Sequence, residues 1–170
     1  MGLEAEKLEE IRSVYELYRN DIYRFARYTL GDESSAYDVV QEVFMRAIRS
    51  WESFRHDAGA KTWLLRIARN YIYDSFRKQK RWEKFLADYT PLNETNDMQS
   101  VETAMMLEES LSNLKDSYRQ VFVLRHIDNL SIQETASVLG WSEGKVRTTD
   151  YRAIARLREL LGESRKGVNL

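Results

Sequence analysis

The sequence predicts an all-α protein built as two small helical domains joined by a flexible acidic linker. Three observations carry that prediction. Apolar residues recur at intervals of three and four along most of the 170-residue chain, the spacing of one helix face. Seven glycines and one proline leave few of the turn signals that separate strands. Hydrophobic residues at 43% beside charged residues at 31% supply a core and exclude a compositionally disordered chain.

The first helix is marked by Leu8, Ile11, Tyr15, Tyr18, Ile22 and Phe25 and should stop at Leu30-Gly31-Asp32, with Gly31 as its C-cap. Asp32 or Ser34 then caps a second helix that carries Val40, Val43, Phe44, Ala47, Ile48 and Trp51 on one face. Arg55 to Ala60 reads as a short loop, and Thr62 as the cap of a third helix. The stretch LADYTPLNETNDMQS holds the only proline and has no periodicity, so it reads as a linker. Helical spacing resumes with Val101, Met105, Leu107, Leu111 and Leu114 and continues through Tyr118, Val121, Phe122 and Leu124. The expected division is 8–85 for the first domain, 86–104 for the linker and 105–163 for the second domain.

Net charge is -1, but its distribution is uneven. From Thr62 to Phe85 there are seven basic residues and two acidic ones, whereas Leu86 to Ser110 has six acidic residues and no basic one. The absence of cysteine excludes a disulfide framework and thiol chemistry. MGLEAEKLEEIR lacks an apolar signal core, and no run approaches the roughly 20 apolar residues of a membrane span, so a cytoplasmic location without membrane insertion is expected.

The third helix, TWLLRIARNYIYDSFRKQKRWEKF, sets Leu65, Ala68, Ile72 and Phe76 on one side and Arg66, Asn70, Tyr73, Arg77, Lys80 and Lys84 on the other. A core helix with a merely solvated face is one reading. The charges are nearly all of one sign, so the face repels itself unless an anion is present. Rings from Tyr73, Trp63 and Trp82 among the cations suit stacking on unpaired bases. A membrane-surface helix is the competing functional reading, and it would want a wider apolar arc.

The segment SIQETASVLGWSEGKVRTTDYRAIARLRELL has the parts of a helix-turn-helix. Ser131 and Ser142 are expected caps, Ala136 the small crossing residue and Gly140 the left-handed turn. Ile132, Leu139, Trp141 and Val146 anchor it, and Val146, Ala153, Ile154 and Leu157 should point inward. Lys145, Arg147, Thr148, Tyr151 and Arg152 then face outward, toward a major groove. Thr149 and Asp150 fall on the inward arc; Asp150 is either solvated at the core's edge or paired with Arg147 or Arg125.

Taken together, LYRNDIYRFARYTLGDESSAYDVVQEVFMRAIRSWESF, the basic helix and LSNLKDSYRQVFVLRHIDNL with the helix-turn-helix resemble the extracytoplasmic-function (ECF) sigma factors of bacterial RNA polymerase, from about Ile11 to Leu161. The resemblance implies that the block Asp38, Val40, Gln41, Glu42 and Phe44 binds the polymerase clamp; helical spacing sets Asp38, Gln41, Glu42, Met45, Arg46 and Arg49 on one polar face opposite the apolar stripe, a face that a solvated surface would also explain. It implies that the basic helix and the loop before it grip the melted minus-ten strand through His56, Lys61, Trp63, Arg66, Asn70, Tyr73, Arg77, Lys80 and Arg81. Ser142, Lys145, Arg147, Thr148, Tyr151 and Arg152 would read the minus-thirty-five element while the same module docks on the flap. Implied partners are core RNA polymerase, promoter DNA and an anti-sigma factor, with no small-molecule substrate, cofactor or metal. The chain departs from the common pattern at Thr149, Asp150 and Tyr151, which bears on the promoter sequence read. His56 and His126 have no nucleophile or carboxylate cluster beside them, so the protein is not expected to be an enzyme.

Overall fold

The computed structural model describes the backbone of residues 2–54, 59–86 and 102–167. The side chains of residues 3, 82–86, 102–105 and 163–167 lie outside that description. Among the described residues the helices are α1 (Gly2–Leu30), α2 (Glu33–Ser50), α3 (Ala60–Leu86), α4 (Glu102–Ser112), α5 (Asp116–Phe122), α6 (Ile132–Leu139) and α7 (Glu143–Gly167). A 3-10 turn, Trp51–Ser53, follows α2, and a π-helical turn, Val123–Ile127, continues α5. Most of the expected linker, residues 87–101, falls outside the described residues.

Local chemistry explains the boundaries. Gly31 sits at φ 74°, where only glycine is unstrained, and its amide closes α1 onto the Arg27 carbonyl at 2.8 Å. Asp32, rather than Ser34, caps α2 by accepting from the Ser35 amide at 2.7 Å. Hydrogen bonds from Ser35 hold the Asp32 carboxyl below its ordinary range. The start of α3 differs from expectation. Its first turn already closes with the Trp63 amide on the Gly59 carbonyl at 3.1 Å, and Thr62 is buried in that turn instead of capping it. The π turn was not foreseen: the Asp128 amide reaches the Val123 carbonyl at 2.9 Å, and Asn129 follows at φ 57°, a conformation asparagine tolerates.

Helices α1, α2 and α3 pack around Ile22, Phe25, Val43, Leu64, Leu65 and Ile72. Three expected core positions are on the surface: Leu8 and Tyr15 on α1 and Ile48 on α2, at 66%, 36% and 48% exposure. The buried arc of α2 is centred further back, on Ala36, Val39, Val43 and Ala47, because α2 packs on α1 and α3 together and Ile48 lies past the edge of both. In the other group, Leu111, Leu114 and Leu157 bring α4 and α7 together. Val121, Leu124, Ala136, Leu139 and Val146 fill the helix-turn-helix, and this apolar cluster runs on into the first group where α6 meets α3. The two groups are therefore docked on one another.

Charged groups line the same seam. Lys61 Nζ donates to the Asp128 carbonyl at 2.6 Å and lies 3.2 Å from Asp21 Oδ1. The Asp128 side chain is fully buried, 3.7 Å from Arg24 Nε, and neither carboxylate oxygen has a hydrogen-bond partner. Burial lifts Asp128 to about 7, against the pull of Lys61 and Arg24 and with a smaller push from Asp21. A carboxyl so raised binds its proton more tightly folded than unfolded. Its favourable contribution is complete below the ordinary value of 3.8 and is lost as pH rises to about 7. Melting temperature measured from pH 4 to 8 should fall across that window through this group, and Asp128→Asn should flatten the decline. An unchanged profile in the variant would contradict the raised carboxyl.

Candidate nucleic-acid interface

Burial of Leu64, Leu65, Ala68 and Ile72 fixes the rotation of α3 and turns its cations away from α1 and α2. What they meet differs along the helix. Arg66 Nε donates to the Ser137 carbonyl at 3.2 Å, and its guanidinium also bonds the Ser137 hydroxyl, both on α6. Tyr73 is half-buried and donates to Asp116 Oδ2 at 3.3 Å, with the Arg69 guanidinium 4.3 Å over its ring. Burial, reinforced by the Asp116 charge, pushes its hydroxyl up to about 12, so it stays a donor. Asn70 is exposed and accepts from Arg69 at 3.4 Å. Beyond it Arg77, Lys80 and Arg81 are exposed. An open cavity of about 500 Å³ lies between this end and α5, lined by Tyr73, Phe76, Arg77, Gln79, Lys80 and Asp116. The expected stripe is thus divided, its first half against the helix-turn-helix and its second half open.

Two members of the expected set sit differently. Lys61 is in the first turn of α3 rather than in a loop. The Trp63 ring is no free platform: it stacks on Phe54 at 4.5 Å and meets Trp51 edge-on at 6.0 Å. His56 and the side chains of Trp82 and Lys84 lie outside the described residues.

On α2 the expected partner face is partly corrected. Asp38, Gln41, Met45 and Arg49 are exposed. Glu42 and Arg46 pair with each other at 2.7 Å, and the Arg46 guanidinium lies 4.9 Å over the Tyr71 ring. Phe44, however, is 6% exposed and packs edge-on against Tyr15 at 4.8 Å, so it holds α2 to α1 and is not part of the surface. Sequence reasoning missed Tyr37 and Ile48, 58% and 48% exposed, which share an arc with Gln41 and Met45. The signal was available: shifting the buried arc back toward Val39 leaves both on the outside. Such a patch, apolar around a central amide, is unusual on a solvated helix.

The helix-turn-helix follows its expected parts closely. Ser131 and Glu134 form a reciprocal capping box, and Gly140 takes φ 67° with the Trp141 amide on the Ala136 carbonyl at 3.0 Å. Ser142 accepts from the Lys145 amide at 3.2 Å to start α7. Val146, Ala153 and Leu157 are buried, and Thr149 with them. Asp150 pairs with Arg125 at 3.6 Å and with His126 at 2.8 Å, whereas Arg147 pairs with Glu143. One of the two expected partners of Asp150 is therefore correct, and His126 is the one not foreseen. Lys145, Arg147, Thr148, Tyr151 and Arg152 all face outward, Tyr151 at 78% exposure, and Lys145 is 4.0 Å over the Trp141 ring. This surface offers cations, a hydroxyl and a ring along one edge of a single helix, the geometry that enters a major groove.

Comparison with known proteins agrees with this arrangement. The family model Sigma-70 region 2 matches residues 14–82, and the model Sigma-70, region 4 matches residues 104–157. The ECF RNA polymerase sigma factor SigX of Bacillus subtilis (strain 168) is 35% identical, over 91% of this chain and 87% of its own length. SigM of the same organism, also an ECF RNA polymerase sigma factor, is 33% identical over 94% and 98%. Among solved structures, the sigma factor RpoE in complex with the anti-sigma factor NepR from Bartonella quintana superimposes with a TM-score of 0.80 at 24% identity, over 91% of this chain and 98% of that one. CnrH in complex with the cytosolic domain of CnrY superimposes with a TM-score of 0.68 at 28% identity, over 92% and 90%. Two region models in order and full-length relatives above 30% identity lead to one conclusion: the chain belongs to the ECF sigma factors of the sigma-70 family.

Proposed function

We propose that this protein is a transcription-initiation factor that joins core RNA polymerase, directs it to a two-part promoter and favours strand opening, under the control of an anti-sigma factor. In this reading residues 8–85 bind the polymerase clamp and the minus-ten strand, 105–163 bind the flap and the minus-thirty-five element, and 86–104 tether the two. The observation that carries it is the occurrence, in one chain, of two cationic surfaces of different geometry. One is an exposed helix-turn-helix edge with Thr148, Tyr151 and Arg152; the other is the α3 stripe with Arg66, Asn70, Tyr73, Arg77, Lys80 and Arg81. A duplex-binding regulator has use for the first alone, whereas rings interleaved with cations suit unpaired bases. The factor supplies binding energy and positioning rather than bond chemistry. Control by an anti-sigma factor is drawn from the relative RpoE, described in complex with NepR. Among the described residues no helix is long and apolar enough to cross a membrane.

Run-off transcription with purified core polymerase on a promoter library tests the whole reading. RNA should start only when the protein is added, from templates sharing two elements at fixed spacing; no start on any template would defeat it.

The α2 surface separates binding from folding. Gln41→Ala with Met45→Ala should weaken core polymerase binding and leave the melting temperature unchanged, since both side chains are exposed. Phe44→Ala should instead lower stability by about 3–5 kcal/mol, the range for emptying a buried aromatic site. Calorimetry and a polymerase-binding titration distinguish them, and unimpaired polymerase binding by the double variant would remove α2 from the interface.

On α7, Thr148→Ala or Arg152→Ala should relax preference at the upstream element alone, each base-edge contact being worth about 1–3 kcal/mol. Selection from a randomised promoter library reads the outcome, and a change confined to the downstream element would contradict it.

A further inference from the structure

The two helices of the helix-turn-helix begin on the same pattern with opposite charge. In α6, Ser131 Oγ accepts from the Glu134 amide at 3.1 Å, and Glu134 Oε2 returns the bond by accepting from the Ser131 amide at 2.7 Å. In α7, Ser142 Oγ accepts from the Lys145 amide in the same register at 3.2 Å, but a lysine side chain has no acceptor with which to reciprocate. It also sets a cation in the first turn, where the helix dipole is already positive. Local helix energetics therefore work against Lys145. Its ammonium lies 4.0 Å from the centroid of the Trp141 ring, within cation–π range. That ring is a fixed platform: Trp141 is half-buried against the apolar core of the module, and its amide bonds the Ala136 carbonyl at 3.0 Å. The neighbouring Arg147 is tied differently, to the Glu143 carboxylate at 3.1 Å. A carboxylate neutralises the cation it holds, whereas a ring holds a cation and leaves its charge for another partner.

We propose that Trp141 is a positioning residue that holds Lys145 to read one guanine of the upstream element. The inference rests on the assignment of α7 given under Proposed function, and it adds the base that one side chain reads. A lysine meeting a phosphate needs only to be near it, since the contact is that of a point charge and tolerates a swinging stem. A lysine meeting a base edge must hold its ammonium within hydrogen-bond range of fixed acceptors. Guanine presents two of these, O6 and N7, in the major groove, and a basic side chain on that pair is the commonest specific contact there. Pinning the stem on Trp141 removes rotamer freedom before DNA arrives, which serves the base contact and gives a phosphate contact nothing. Position agrees with the choice. Residues at the N-terminal end of a recognition helix reach base edges, and Lys145 is exposed there, one turn before Thr148. Trp141 packs on the core of the module and acts through Lys145.

The test uses the full chain with core polymerase on promoters randomised at the upstream element, and it reads the preference for guanine at each base pair. Lys145→Gln, at an exposed site, should remove an about tenfold preference for guanine at a single base pair. Trp141→Leu keeps an apolar anchor and should lower the same preference about threefold, the size of a surface cation–π contact, at that base pair alone. A polyfluorinated tryptophan installed at position 141 keeps the shape while draining the negative ring face, so it should do the same even where leucine loosens the turn. Trp141→Phe should restore most of the preference. In the Lys145→Gln background none of these ring changes should have a further effect. A Lys145→Gln variant that weakens every sequence alike and lowers the salt slope by about one marks a phosphate contact and overturns the guanine assignment. Equal losses from the ring changes with and without Lys145 would reduce Trp141 to an anchor of the turn. A parent chain with no preference at any upstream base pair would bring down the assignment of α7 and this inference with it. A preference that survives in every variant would overturn this inference alone.

Discussion

The burial of one face of α3 is the constraint on which the remaining structure depends. Leu64, Leu65, Ala68 and Ile72 are essentially inaccessible, and each is worth about 1–3 kcal/mol of transfer free energy, so the helix cannot turn about its axis without losing most of the contact with α1 and α2. That single orientation decides where Arg66, Asn70, Tyr73 and Arg77 point. The same logic sets α7, where Val146, Ala153 and Leu157 lock the rotation and push Lys145, Thr148, Tyr151 and Arg152 outward. In both helices the surface is precise because the opposite side is packed.

Polar groups inside the fold then secure what apolar packing leaves loose. Asp150 falls on the inward arc of α7, and Arg125 and His126 meet it from the π-helical turn after α5. It joins the recognition helix to the helix behind it, and a carboxylate with two such partners is far less costly to bury than a lone one. Asp128 is the opposite case. Its oxygens are shut from water without direct donors, which makes the junction of the two groups the least comfortable part of the interior.

Under the proposed function the α7 edge is the part suited to a closed duplex and the α3 stripe the part suited to an unpaired strand. The α7 edge is exposed, whereas Lys61 and Arg66 near the start of α3 bond to the Asp128 carbonyl and to Ser137 of α6. On α2, the arc of Tyr37, Gln41, Met45 and Ile48 is left apolar and uncovered, and a protein partner is the simplest reason for a solvated helix to carry it.

The all-α class, the helix succession, the helix-turn-helix with its Ser131 and Ser142 caps, and the outward set on α7 were legible in the residues alone. They depend on local spacing and on side chains bonding within a turn, and both are written in sequence order. Tertiary structure decided the rest. Phe44, expected both on the apolar face of α2 and in the clamp-binding block, is buried, Ile48 moved out, Tyr37 proved exposed beside it, Trp63 joined an aromatic stack, and Asp150 found His126. Helical periodicity tells which side is apolar but not where a neighbouring helix stops covering it, so residues at the edge of an arc are undetermined until the neighbours are placed. The contacts of Lys61, Arg66 and Tyr73 with Asp128, Ser137 and Asp116 join residues 43 to 71 apart in sequence, and no local pattern encodes a bond that only the docking of two helix groups creates.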